Sequence, residues 1–521
     1  MKKQILAIIL VIVTVIGIIP LSSMSVCADS EIPEFNVNDA EIYIDSAEDF
    51  IEFGKKIGGG NTFEGKIIKI ENDIDFRKVT DGSYYDWKSI IGSNKQFSGI
   101  IDGNNHIISG LSFQNTTTNG INGILAGSMV GTGEVYEEYD GASAGIFNLS
   151  IIDSVMISNS KLNGGLLGGV ESGKKVVIKN IYADIDITIK DITTGGILGY
   201  NRNFDTTIDN CVFAGDITVN ARLSENAGIA GIVGHNGNGN NDVANLTLKN
   251  SSFYGNIIYS STKTFDGFAA LVGINGKDNN TNTSAILIDK CISTYDFDIS
   301  ATKSNWGVCV GTSLNGTVPT VTNVLSTYQG APSAPDADKY TYVAPSELQG
   351  IDAQIPANSE FVTVPDGNPL PIGVVNLVRK INLSDAENTL PTLFYGQQST
   401  TLTIDTKSTL RIIGGMNGEL TDYNALGMEI TMITENGKKW TNRKSDNTFP
   451  VITTVYDSVY GGGEEYHADT CDYLFVACVG GIKANVGELR FVVKTFHDKN
   501  NTRVYDDVYV ITYDTTITVT E

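Results

Sequence analysis

The sequence predicts an all-β protein, a parallel β-helix followed by a β-sandwich of immunoglobulin-like type. Three observations predict it. A glycine-flanked apolar motif recurs through the middle of the chain, apolar residues follow each copy at fixed offsets, and beyond Lys380 the glycine repeat gives way to plain alternation of polar and apolar residues.

The chain of 521 residues opens on Lys2 and Lys3, then an uncharged apolar run from Ile5 to Ile19, then Val26-Cys27-Ala28. Charged, apolar, small is the order of a secretory signal peptide, so residues 1–28 are expected to be removed. A run of fifteen residues is short for a membrane span, which needs about 20. Lipidation of Cys27 is the alternative, although Met24-Ser25-Val26 lacks the small residue expected before a lipidated cysteine. No second apolar segment follows, and the C-terminus carries no LPxTG-like sorting signal. The expectation is a secreted, extracellular protein, either released or held to the cell surface by something other than a familiar covalent anchor.

Ser46-Ala47-Glu48-Asp49 followed by Phe50, Phe53 and Ile57 reads as a short capped helix with one apolar face, placed to plug the first end of a stack. Alternating strands and an Asp102-Gly103-Asn104-Asn105 turn fill the stretch to Phe113. The repeat then runs GGLLGG (164–169), GGILG (195–199), AGIVG (230–234), AALVG (269–273) and GVCVG (307–311). The closing glycines, Gly168, Gly199, Gly234, Gly273 and Gly311, are 31, 35, 39 and 38 residues apart. Between them an aliphatic residue stands two before an Asn: Asn148, Asn180, Asn210, Asn250 and Asn323, with Lys290 in the remaining copy. Seven residues on come Val155, Ile187, Ile217, Ile257 and Phe297; nine on come Ile157, Ile189, Val219, Tyr259 and Ile299. Residues i and i+2 share a strand face, so both sets are expected to point inward. About three short strands per repeat suit one coil of a β-helix and are too few for a propeller blade. Stacked coils predict apolar columns inside, an amide ladder at the Asn position, and glycines at tight corners and close backbone approaches.

The run from IYIDSAEDFIEF through NDIDF, W87KSIIG, F97SGIIDGNNHIISGL and the GGLLG/GGILG units resembles the GLUG-motif, adhesin-like proteins of Gram-positive bacteria. The resemblance covers residues 41 to 328. It implies a right-handed parallel β-helix, a pectate-lyase-like solenoid, in an extracellular or surface setting. It also implies that Trp87, Asp102 and His106 are scaffold residues. No peptidase domain follows the repeats, which departs from that pattern.

From about 330 the chain changes character. APSAPDADKY reads as a linker, and SELQGIDAQIP through DGNPLPIG as a closing cap, which puts the helical domain at 29–375. Segments such as MEITMIT, YLFVACV, LRFVVKTF and VYVITYDTTITVT alternate in period two and suggest the sandwich at 380–521.

Sixty acids against 36 bases give a formal charge of −24, which disfavours nucleic acid and anionic lipid as partners. Five cysteines remain after Cys27, and Cys211 and Cys291 share a slot two repeats apart, about 10 Å at one strand spacing per coil; buried thiols rather than a disulfide framework are expected. The four His form no HExxH, and no CxxC occurs, so no metal or cofactor is expected. Gly141-Ala142-Ser143-Ala144-Gly145 matches GxSxG but lacks the strand-to-helix elbow that chemistry needs. A near match to a phosphate loop at 60–66 fails because Ile67 stands where Ser or Thr must hold the ion.

A polysaccharide lyase or glycoside hydrolase is the enzymatic rival, since β-helices host such enzymes; it needs acids converging in one groove. A non-catalytic binding protein for glycans or surface proteins is the first expectation, and a passive spacer the third. Insertions after the glycine motif lengthen in two adjacent coils, 235–247 and 274–287, and repeat insertions project on one side. The candidate ligand-binding residues are therefore Tyr200, His235, Asn236, Asn238, Asn240, Asn275, Asp278 and Asn279, with amides for sugar hydroxyls and Tyr200 as a stacking surface. Plain solvated turns are the competing reading, and a calcium role for Asp278 lacks a spaced acidic set.

Overall fold

Inward isoleucines recurring once per repeat assemble a single column in register: Ile42, Ile68, Ile101, Ile146, Ile178, Ile208, Leu248, Ile288 and Val321. All are buried. A computed structural model describes residues 35–521 except for 92, 172, 191–192, 221–226, 238–242, 260–265, 277–283, 296–304, 316, 331–339, 386–389, 395–407, 420–421, 442–450, 453–472, 483–485 and 516–521. Among the described residues, three sheets of parallel strands carry the repeats, and the chain visits them in turn. The first runs from Glu41–Ile44 to Tyr340–Tyr342, the second from Ile121–Asn122 to Asn305–Gly307, the third from Gln96–Phe97 to Val310–Ser313. Residues of all three converge on one apolar cluster.

The glycine motif turns the chain from the second sheet into the third, and the reason for glycine is space rather than φ. A Cβ on Gly199 would lie 2.3 Å from the Gly168 carbonyl oxygen; on Gly234, 2.6 Å from that of Gly199; on Gly273, 2.5 Å from that of Gly234; on Gly311, 2.7 Å from that of Gly273. Each closing glycine thus sits against the backbone of the one before.

The Asn position is conformational. Asn148, Asn180, Asn210, Asn250 and Asn323 have φ between 44° and 56°, the left-handed region that Asn tolerates best among residues with a side chain, and Lys290 is held there too at 54°. The expected amide ladder forms only one rung at this position, Asn180 Nδ2 to Asn148 Oδ1 at 2.8 Å. Asn250 and Asn323 donate instead to Asp209 and Asp289 of the preceding repeat, at 2.9 and 3.2 Å. The inward pairs hold for Ile187–Ile217–Ile257 and Ile189–Val219–Tyr259. They fail in the first copy, where the register shifts between Ile151 and Ser154, so that Met156 aligns with Ile187 and Ile157 is left exposed. Phe297 and Ile299 lie outside the described residues.

The first end carries the helix Ala47–Gly58, capped by Ser46, whose Oγ accepts from Asp49 N at 3.2 Å. Phe50, Phe53 and Ile57 are buried among Phe63, Phe76, Trp87 and Phe97. Trp87 Nε1 donates to the Ile124 carbonyl at 2.6 Å. Cys211 and Cys291 are buried free thiols, and Cys309 is buried as well.

The stretch expected to close the last coil does something else. After Tyr340–Tyr342 pairs with the last strand, Val343, Leu348 and Phe361 pack on the outward residues Ile292 and Leu325 of the first sheet. The chain then runs back along that face: Glu360 meets Asn250 and Asn210, Gly373 meets Asn180, and Lys380 in the helix Val375–Asp385 reaches Asp73 near the start, Nζ to Oδ1 2.6 Å. Two four-stranded antiparallel sheets follow, one including Ser408–Met416 and Tyr473–Ile482, the other Ala425–Thr434, Glu488–Lys499 and Thr502–Asp514. Leu410 and Ile412 of one share a core cluster with Met428, Phe491 and Ile511 of the other. A second cluster joins Val492 and Val510 to the returning segment and to Val212 of the repeats.

Two substitutions should move stability in opposite directions. Gly199→Ala forces backbone apart in a packed column and should cost about 3 kcal/mol, whereas Lys290→Gly relieves a left-handed residue and should gain about 1 kcal/mol. Urea midpoints of the two variants measure both.

Candidate functional site

The residue just before the Asn position faces away from the core, because its neighbour on the strand is the inward isoleucine. In register these outward residues are Asp102, Phe147, Lys179, Asp209, Lys249 and Asp289. Charges alternate along the last four, and Lys249 Nζ lies 3.2 Å from Asp209 Oδ2. Opposite charges directly across strands contribute roughly 0.2–1 kcal/mol each.

Where this column passes beneath the returning segment it floors a polar groove of about 500 Å³, whose other wall is the edge formed by Glu488, Arg490 and Thr512. Its side chains are held by one another. Asp102 accepts from the Tyr139 hydroxyl at 2.9 Å and from Asn148 Nδ2 at 3.0 Å. Lys179 Nζ donates to Asp140 Oδ2 at 2.7 Å, and Asp140 itself sits at φ 57°. The Tyr139 ring lies 4.9 Å from that of Phe147. Burial, then the Asp102 charge and hydrogen bond, push the Tyr139 phenol up, so it stays a hydrogen-bond donor. Burial pulls the Lys179 ammonium down, but Asp140 outweighs it and leaves the group above its ordinary value. The result is a fixed set of carboxylates, amides, one ammonium and one phenol beside an aromatic pair. That set suits a polyhydroxylated ligand, whose hydroxyls both donate and accept.

The groove's far wall is anchored by Glu360. Arg490 Nη1 donates to Glu360 Oε2 at 2.8 Å and Nη2 to Oε1 at 3.2 Å, with Asn210 Nδ2 at 3.2 Å. Burial raises the Glu360 carboxyl, but Arg490 and Asn210 together hold it at about 2, against an ordinary value of 4.5. Asp73 shows the same balance: burial raises it, while His106, Lys380 and the Ile107 N–H hold it at about 2.

The residues singled out from the sequence lie elsewhere. Tyr200, His235, Asn236 and Asn275 stand in the third sheet and are buried, so none offers a side chain to a ligand. Asn201, Asn236 and Asn275 form a buried amide ladder in the third sheet: Asn201 Nδ2 to Asn236 Oδ1 at 2.8 Å, Asn236 Nδ2 to Asn275 Oδ1 at 2.8 Å, and Asn275 Nδ2 to Thr317 Oγ1 at 3.2 Å; in the second sheet Asn122 Nδ2 donates to Asn163 Oδ1 at 3.1 Å. Tyr200 lies over Gly169, hydrogen-bonded to Glu171 and with the Arg202 guanidinium 4.6 Å from its ring centre. His235 Nε2 is 2.7 Å from the Gly276 carbonyl oxygen. Asn238, Asn240, Asp278 and Asn279 lie outside the described residues.

Asp102, assigned to scaffold by the family resemblance, lines the groove instead, and Tyr139, Asp140 and Lys179 were passed over. The signal for Lys179 was present in IKN, repeated as IDN, LKN and IDK, where a charge precedes each left-handed residue; Tyr139 and Asp140 lie outside that pattern. Among the described residues no group of three or more His, Cys, Asp or Glu gathers as a metal site, and no helix is long and apolar enough to cross a membrane.

Fold and groove together define an all-β repeat protein on parallel sheets with a polar cleft against its C-terminal sheets. Compared with known proteins, the chain matches no family model and no curated sequence.

A carboxyl held below its ordinary value stabilises the folded chain above that value, and the contribution is lost as pH falls through the lowered one. Stability should therefore fall between pH 4.5 and about 2, and Glu360→Gln should flatten that loss while lowering stability at pH 7. Urea midpoints at pH 7 and pH 3 for both chains measure it.

Proposed function

We propose that this is a secreted, adhesin-like binding protein of the GLUG-motif kind, non-catalytic, which holds a glycan in the polar groove. In this reading the three parallel sheets are the walls of a right-handed parallel β-helix, and the two antiparallel sheets pack as an immunoglobulin-like β-sandwich. The chain works at a bacterial cell surface after removal of residues 1–28. The observation that carries the reading is the preorganised groove: its donors and acceptors are fixed by Asp102–Tyr139, Asn148–Asn180 and Lys179–Asp140 contacts, so little side-chain entropy remains to be lost on binding.

One observation favours a second reading. Asp102, Glu138, Asp140 and Glu488 line one groove, the convergence of acids that a glycan-cleaving enzyme requires.

A glycan array with purified residues 29–521, followed by analysis of bound glycans for cleavage products, tests both. Binding without cleavage, weakened about tenfold or more by Lys179→Ala and Asp102→Asn, is the expected result. Cleavage products replace it with the enzymatic reading, and silence on every glycan points to a protein partner or a spacer.

A further inference from the structure

On its other side the returning segment roofs a second, separate space of about 420 Å³. Its floor is the outward face of the first sheet at Tyr182, Ala214 and Tyr254; its walls come from the loop around 364–370, the helix Val375–Asp385 and the strand Thr502–Asp514. The lining is mostly aliphatic, with Leu370, Val378 and Val508 typical. Apolar clefts of this size at the seam between two packed units, with a few polar groups, are where small molecules bind.

The polar groups indicate which molecule. Three acids, Asp366, Asp506 and Asp507, line the space against one base, Arg379, a formal charge of −2. Arg379 is committed to Asp507 through Nε at 2.8 Å and Nη2 at 2.7 Å. Asp506 takes the Thr392 hydroxyl and His497 Nδ1, the latter at 2.8 Å, while Asp366 is exposed at the rim. Two aromatic rings complete the set. The Tyr254 hydroxyl is tied to the Pro369 carbonyl oxygen, which fixes its ring. Burial, then Asp184, hold the Tyr182 phenol at about 12, so that ring is uncharged at any working pH.

We propose that this cavity binds an organic cation with an apolar body, a quaternary or alkylated ammonium whose hydrocarbon portion meets the aliphatic walls. The charged head is drawn to the rings of Tyr182 and Tyr254 and to the net negative charge of the lining. Aromatic faces attract ammonium heads by about 0.5–2 kcal/mol when desolvated. An anion of the same shape meets acids on two sides and is repelled.

Calorimetric titration of residues 29–521 with benzyltrimethylammonium, benzyl alcohol and phenylacetate tests the assignment. The cation should bind at least about tenfold more tightly than the alcohol, and phenylacetate should not bind. Ala214→Met fills the space and should lower the cation's affinity about tenfold; Asp366→Asn at the exposed rim should lower it about threefold. Both should keep the unfolding midpoint of the parent. Equal affinity for the alcohol overturns the proposal, because charge then plays no part. No heat with any of the three, or an Ala214→Met variant that keeps both its midpoint and its affinity, overturns it equally.

Discussion

The architecture rests on the contact between one glycine and the carbonyl oxygen of the glycine a repeat earlier. At 2.3 to 2.7 Å from that oxygen there is no room for a Cβ, so the chain can turn from the second sheet into the third only where glycine stands. This fixes where each turn falls. The strands that follow are aligned on their counterparts, apart from local register shifts such as that between Ile151 and Ser154, and the aliphatic column stays in register from Ile42 to Val321. Variation in repeat length, 31 to 39 residues, is absorbed between these points rather than in them.

Much of this was legible. The glycine spacing and the aliphatic residue two before each Asn are short-range patterns, and in-register stacking converts them directly into columns. What could not be read was where the longest run of amide rungs would fall. Asn148, Asn180 and their equivalents satisfy a backbone angle, as Lys290 shows by adopting it without an amide. That run belongs to Asn201, Asn236 and Asn275, two residues past the closing glycine, and a polar residue there looks like the start of a loop. His235 and Tyr200 misled in the same way, because only the pairing of strands reveals that their neighbours cover them. The slip in the first copy, which exposes Ile157, comes from a single register shift that no offset rule carries.

The returning segment was the least legible element. Nothing in SELQGIDAQIP or DGNPLPIG says that Glu360 must meet Asn210 and Asn250, since those partners are 150 and 110 residues away. Yet this segment decides what the protein can bind. Bare, the outward face of the first sheet carries alternating charges from Lys179 to Asp289 beside apolar residues such as Ala214 and Ile292; with the segment laid along it and the antiparallel sheets resting on that, the face becomes a polar groove on one side and an apolar pocket on the other. Arg379–Asp507 and Arg490–Glu360 tie the segment to those sheets, the first pair lining the pocket and Arg490 lining the groove.

The amide ladder also bears on how the protein ages. Asn236 and Asn275 are each followed by glycine, the sequence in which a backbone nitrogen most readily attacks the preceding side-chain amide and expels ammonia. Here both partners in that reaction are occupied. The Gly237 nitrogen donates to the Asn201 carbonyl oxygen and the Gly276 nitrogen to that of Asn236, each at 2.8 Å, while the amide groups donate up the column. Deamidation is therefore held back for as long as the coils stay paired. A chain that opens there, even briefly, risks closing again with a carboxylate where the column needs a donor, a buried charge with no partner. How long the column keeps its amides then depends on how seldom the third sheet comes apart.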